Sequence, residues 1–180
     1  MPKLLSASLA VLVLTIASAC RFWRKPPEER PGLVNPALDN KLGRLLRFDV
    51  PQIGADSLYT LNGADNLLLD ARAAEEYAVS HIEGAIRIDP DGKLPAWIAD
   101  IEPERQVTVY CSVGYRSENV GRRLQAAGFT KVSNLYGSLF DWVDRGYPLV
   151  DSSGNVTRRI HTYNARWGEL VTHPEAQKIW

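Results

Sequence analysis

The chain has 180 residues, 45% of them apolar, which fits one domain of ordinary size with short appendages. Its 21 basic and 21 acidic side chains cancel, so no global positive field exists to gather nucleic acid. Two cysteines, Cys20 and Cys111, allow one disulfide at most, and each has a separate reading that leaves them unpaired. Taken from its start, Met1 to Cys20 opens on a basic Lys3, runs through apolar Leu4 to Ile16 and closes on small Ala17-Ser18-Ala19. This is the layout of a secretory signal peptide, and the apolar stretch is short of the roughly 20 residues that a membrane-crossing helix needs.

Two processing outcomes stand open. Cys20, directly after the small run, resembles the lipobox of bacterial lipoproteins, in which the cysteine is lipidated and becomes the first residue; Ala17 stands where that pattern usually has Leu. A lipid on Cys20 implies anchoring to a membrane on the periplasmic side of the bacterial cell envelope. Ordinary cleavage after Ala19 implies a secreted or soluble periplasmic protein instead. Residues 21–40 carry four prolines and mixed charges and read as an extended, solvated tether. Arg21, Arg24 and Lys25 lie beside the presumed anchor, in reach of anionic head groups. The folded domain is expected over 41–150, with a C-terminal extension over 151–180.

Within the domain, Leu42 to Phe48 and Ile53 to Leu61 read as short helices or turns. Asn66 to Asp70 is a short apolar run that reads as a buried parallel strand. Ala73 to Val79 has helical character, Ala85 to Ile88 is a second short strand, and Leu94 to Ile101 has a helical period between Gly92 and Pro103. Gln106 to Tyr110 is the clearest strand, β-branched and ending at Cys111. Tyr115 to Ala127 follows as a helix with Val120, Leu124 and Ala127 on one face, Gly121 for close packing and Gly128 as the stop. Lys131 to Leu135 is a strand and Leu139 to Asp144 a short helix ended by Gly146-Tyr147-Pro148. Strands alternating with helices predict an α/β fold with a parallel sheet covered on both faces.

Chemistry concentrates at the end of the clearest strand. Cys111 sits where a buried strand turns through a loop into a helix, the place where open parallel sheets bind ligands. Loop amides and the positive end of the following helix form an anion cradle, which favours thiolate over thiol and so lowers the thiol pKa. Gly114 permits a tight loop, Arg116 adds a permanent charge with planar donors, and the Ser112 and Ser117 hydroxyls can donate near the sulfur. Cys111 is the expected nucleophile, and Ser112, Val113, Gly114, Tyr115, Arg116 and Ser117 are the expected substrate-binding loop. Taken alone, a cysteine after a strand is most often a small buried hydrophobe; its neighbours here separate it from that background.

At these residues the chain resembles the rhodaneses. The likeness covers about Ile53 to Val150 and rests on Asp70-Ala71-Arg72, His81-Ile82-Glu83-Gly84-Ala85, the Cys111-to-Ser117 loop, and Leu135-Tyr136-Gly137 through Trp142 to Gly146-Tyr147-Pro148-Leu149. Ser138 departs from it, since many members have a second glycine there. The resemblance implies a three-layer α/β/α domain around a five-stranded parallel sheet. It also implies that sulfane sulfur moves from a donor such as thiosulfate to Cys111, as a persulfide, and on to cyanide, a thiol or a protein cysteine, without a cofactor. The alternative is a sulfur-relay or partner-binding module with little turnover of small molecules. The same architecture is shared with cell-cycle dual-specificity phosphatases, whose loop is one residue longer than the four residues between Cys111 and Arg116. A shorter loop makes a smaller cradle, sized for sulfur rather than phosphate.

Asp70 and Arg72 are expected to organise the loop from beneath by ion pairing, and His81 to bond to backbone rather than act as a base. His161 and His173 lack metal-ligand companions, so no metal is assigned. Trp97, Trp142 and Trp167 read as packing, Tyr115 as the mouth of the site and Tyr136 as a flank of the same face. The aromatic tail beyond Asp151 is expected to pack on the domain.

Overall fold

The computed structural model describes Pro27, residues 29–61 and residues 65–180. The signal segment, Cys20 and the tether as far as Pro26 lie outside the described residues. Five strands form one parallel sheet: β1 (Gln52–Ile53), β2 (Asn66–Asp70), β3 (Ile86–Arg87), β4 (Gln106–Tyr110) and β5 (Val132–Leu135), in the order β1-β5-β4-β2-β3. The alternation of side chains along a strand sends Leu67 and Leu69, with Val107 and Val109, to one face, and Leu68 and Tyr110 to the other. Helix α1 (Pro36–Leu45), α2 (Ala55–Leu61) and α5 (Ser138–Asp144) cover the Leu68 face, and α4 (Tyr115–Ala126) and a 3-10 turn (Ala96–Asp100) cover the other. Short α3 (Ala74–Val79) follows β2. The result is the expected α/β/α sandwich.

Helix α4 presents Val120 and Leu124 to the sheet, and Gly121 lets it approach so closely that an added Cβ would lie 3.0 Å from Val50. Ala127 caps the helix and is exposed rather than on the buried face. Asp70 and Arg72, both fully buried, form an ion pair at 2.5 Å, and Arg72 also donates to the Ser80 carbonyl. His81 exchanges two backbone bonds with Val150 and stacks on Tyr77.

Two boundaries differ from the sequence reading. Residues 29–40 were expected in the tether, yet α1 begins at Pro36 and buries Leu38 and Leu42 in the core. Pro36 sits in the first turn, where its missing N–H costs nothing, and Asn35 caps the helix through Ala37 N. The proline that reads as a breaker is here a helix start. Strand β1 was read as part of a helix or turn, because two half-buried residues leave no period to detect.

The tail packs as expected. Leu149–Val150 (β6) pairs antiparallel with Val156–Thr157 (β7), and Arg159–His161 (β8) pairs parallel with Gln177–Ile179 (β9), flanking the one-turn α6 (Ala165–Gly168). Ile160 and Val171 are buried in the same cluster as Leu42 and Trp142. Asn35 donates to the Leu170 carbonyl and Asp144 accepts from the Thr172 and His173 amides, so the tail is tied to α1 and to α5.

Candidate active site

Cys111 follows β4, the central strand of the sheet, and the loop after it turns directly into α4. Gly114, the residue before the helix, has φ 115°, a conformation that costs little only without a Cβ. That turn brings the Gly114 N–H to 3.1 Å from Cys111 Sγ. The Ser117 hydroxyl lies 3.6 Å from the same sulfur, and the Ser117 N–H also bonds to it. Cys111 is a free thiol and only 1% exposed. Burial pushes its pKa up, but the charge of Arg116 and the Ser117 and Gly114 donors outweigh it, and the thiol is held below its ordinary value.

The other loop residues are placed as follows. Ser112 and Val113 are buried, and Tyr115 is 47% exposed at the rim. Both terminal nitrogens of Arg116 are held by protein acceptors. Its Nη1 and Nη2 bond to Glu76 of α3 at 2.5 and 2.8 Å, and Nη2 also donates to Ser112 Oγ at 3.0 Å. Ser112 in turn donates to Glu76 rather than to the sulfur. Glu76 is buried, which raises its pKa, yet bonds and charge from Arg116 hold it below the usual carboxylate value.

Three residues support this loop; Glu76 and Asn134 were not singled out from the sequence, and Ser138 was noted only as a departure from the family pattern. Glu76 sits in the first turn of α3 and also accepts from Ala73 N, so in the sequence it looks like an ordinary helix-starting acid. Asn134 of β5, fully buried, accepts from Ser117 Oγ at 2.6 Å and donates to the Gly114 carbonyl. An Asn inside a short strand, Val132-Ser-Asn-Leu135, was the available signal. Ser138, with φ 50°, accepts from Cys111 N through Oγ and donates to the Leu135 carbonyl. It replaces the expected glycine with a side chain that satisfies a buried amide.

A cleft of about 240 Å³ opens onto Cys111, walled by Leu45, Val113, Tyr115, Tyr163 and Trp167, with Arg116 at its side. Trp167, read as packing, is half-buried and lines this cleft. Tyr136, read as a flank of the site, is instead buried beside Phe48 with its hydroxyl on Asp39.

The rhodanese-like domain family matches residues 54–145, about half of the chain. The chain belongs to that family. Over 90 residues this rhodanese-like chain is 33% identical to a sulfurtransferase of Allochromatium vinosum, covering 50% of this chain and 83% of that protein. It is also 36% identical over 80 residues to a tRNA uridine(34) hydroxylase of Listeria monocytogenes, covering 42% of this chain; it spans only 25% of that relative's length. Among solved structures it is similar to the rhodanese-like domain of an Anabaena protein, with a TM-score of 0.51, 27% identity and coverage of 56% of this chain and 79% of that one. The family match leaves outside it Leu45, Tyr163 and Trp167, the cleft walls contributed by α1 and the tail.

Proposed function

We propose that this protein is a sulfurtransferase that moves sulfane sulfur from a donor such as thiosulfate to a thiol or cyanide acceptor through a persulfide on Cys111. The observation that carries the reading is the contact of Cys111 Sγ with the Gly114 N–H at 3.1 Å and with Ser117, under the charge of Arg116. Those donors favour an anionic sulfur in a site shielded from bulk water. In the first half-reaction the Cys111 thiolate attacks the outer sulfur of thiosulfate. The sulfur–sulfur bond of the donor breaks, sulfite leaves with the electron pair, and Cys111 carries one added sulfur. In the second, the acceptor attacks that outer sulfur and the pair returns to Sγ.

The test is intact-mass analysis of the protein after incubation with thiosulfate. One sulfur is gained by the wild type and none by Cys111→Ser, and thiocyanate forms on adding cyanide only with the wild type. A wild type that gains no sulfur from any sulfane donor refutes the reading. The layout of Met1 to Cys20 supports a lipid anchor at Cys20 on the periplasmic side of the cell envelope, and equal fatty-acid labelling of wild type and Cys20→Ala refutes that part.

A further inference from the structure

The tail does more than pack. Beyond the family match, β8 leads into a segment whose every turn is pinned. Asn164 Oδ1 accepts from Trp167 N, the Asn164 carbonyl accepts from Gly168 N, and Thr162 N bonds to the Ile179 carbonyl. His161 Nδ1 accepts from Tyr163 N, and Tyr163 is held at φ 68°, a conformation that bulky side chains avoid. Such strain persists only where the surroundings impose it, and it concentrates at functional sites. Here it sets out over the Cys111 cleft an aromatic ring that is 63% exposed. Trp167 is fixed from behind by Lys41 of α1, whose ammonium lies 4.1 Å from the ring centroid.

These residues give the cleft its chemical character. Leu45, Val113, Tyr115, Tyr163 and Trp167 offer apolar and aromatic surface. Arg116 is the charged residue in the described lining, and both of its terminal nitrogens are already on Glu76. At about 240 Å³ the space falls below what drug-sized ligands occupy. Its floor, Cys111, is itself only 1% exposed, so an acceptor must enter the cleft to reach the sulfur.

We infer that the tail and α1 form a specificity collar, and that the sulfur acceptor is a small, uncharged organic thiol bearing an aromatic or branched aliphatic group, seated between Tyr163 and Trp167. This rests on the sulfurtransferase reading and names the acceptor class for that same site. The acceptor thiolate attacks the outer sulfur of the Cys111 persulfide. A new sulfur–sulfur bond forms on the acceptor, the bond to Cys111 Sγ breaks, and Sγ keeps the electron pair, so the products are an organic persulfide and the resting thiolate.

The full chain is loaded with thiosulfate, the gain of one sulfur is verified by intact mass, and its single-turnover discharge is timed with benzyl mercaptan and with 2-mercaptoethanol. The ratio of the two rates is divided by the ratio they show with a free low-mass persulfide. The wild type should favour benzyl mercaptan by about tenfold or more, the scale on which an apolar pocket discriminates. Tyr163→Ala, at an exposed side chain, and Trp167→Leu should each pull the ratio toward one. A corrected wild-type ratio near one, a ratio unmoved by both substitutions, or faster discharge to a folded protein's cysteine overturns the collar alone. Absence of any sulfur gain on Cys111 overturns the sulfurtransferase reading, and the collar with it.

Discussion

Glu76→Gln is the perturbation that tests the loop most directly. The carboxylate accepts from Arg116 twice, from Ser112 Oγ at 3.1 Å and from Ala73 N at 3.0 Å. An amide keeps the shape but offers one acceptor oxygen, and in either orientation its NH2 faces donors. A fully buried pair that loses one partner costs several kcal/mol; Arg116 retains 24% exposure, so the loss is expected at about 2 kcal/mol. Urea unfolding at neutral pH measures it. The same experiment has a pH signature. Folding holds the Glu76 carboxyl below its ordinary value of 4.5, so its contribution is complete above that value and is lost as the pH falls through the lower folded one. Glu76→Gln has no such contribution to lose, and the gap between the two proteins should narrow toward acid. A gap under about 0.5 kcal/mol at neutral pH, or one that stays constant into acid, refutes the argument that Glu76 holds the loop through Arg116.

Three further outcomes follow from the same geometry. Alkylation of Cys111 should reach half its maximal rate below the ordinary thiol pKa, and Arg116→Gln should move that midpoint up, because a charge that favours thiolate is removed; an unmoved midpoint refutes the electrostatic account. Gly137→Ala should destabilise by about 3 kcal/mol in thermal or urea unfolding, since φ is 73° and the new Cβ would lie 2.6 Å from the Cβ of Asp141. Ser138→Ala should be less stable than Ser138→Gly by about 1 kcal/mol, because both leave the Cys111 amide without its acceptor but only glycine relieves the positive φ; equal stabilities exclude backbone strain there.

How much of this was legible in the sequence depended on whether the signal was local. Strands β2, β4 and β5 and helix α4 were readable, because each is an apolar run or stripe bounded by turn residues. Cys111 and its loop were readable for the same reason: strand, glycine, arginine and helix follow one another along the chain. The supports of the loop were not. Glu76 reaches Arg116 across 40 positions and Asn134 reaches Ser117 across 17, and neither spacing leaves a pattern. Arg116 and Ser112 were expected to face a ligand, yet a carboxylate from another element claims both. Trp167 looked like packing because nothing in its own segment places α6 beside the end of β4; that neighbourhood arises only once the tail folds back onto α1.

The pairing of Arg116 with Glu76 decides what Arg116 does for the sulfur. Both terminal nitrogens are on a buried carboxylate, and an anion that took them, thiosulfate and phosphate alike, would strand Glu76 without its counter-charge, at a cost of several kcal/mol. The added sulfur on Cys111 makes no such demand. It carries a single negative charge, it is delivered by the residue that already occupies the cradle, and it is met by the Gly114 and Ser117 donors rather than by the nitrogens on Glu76. Arg116 then favours the thiolate chiefly through its charge while its bonds to Glu76 stay where they are. A site that is electrically neutral apart from the sulfur binds the sulfur anion through local donors, and leaves selection among partners to the apolar walls around it.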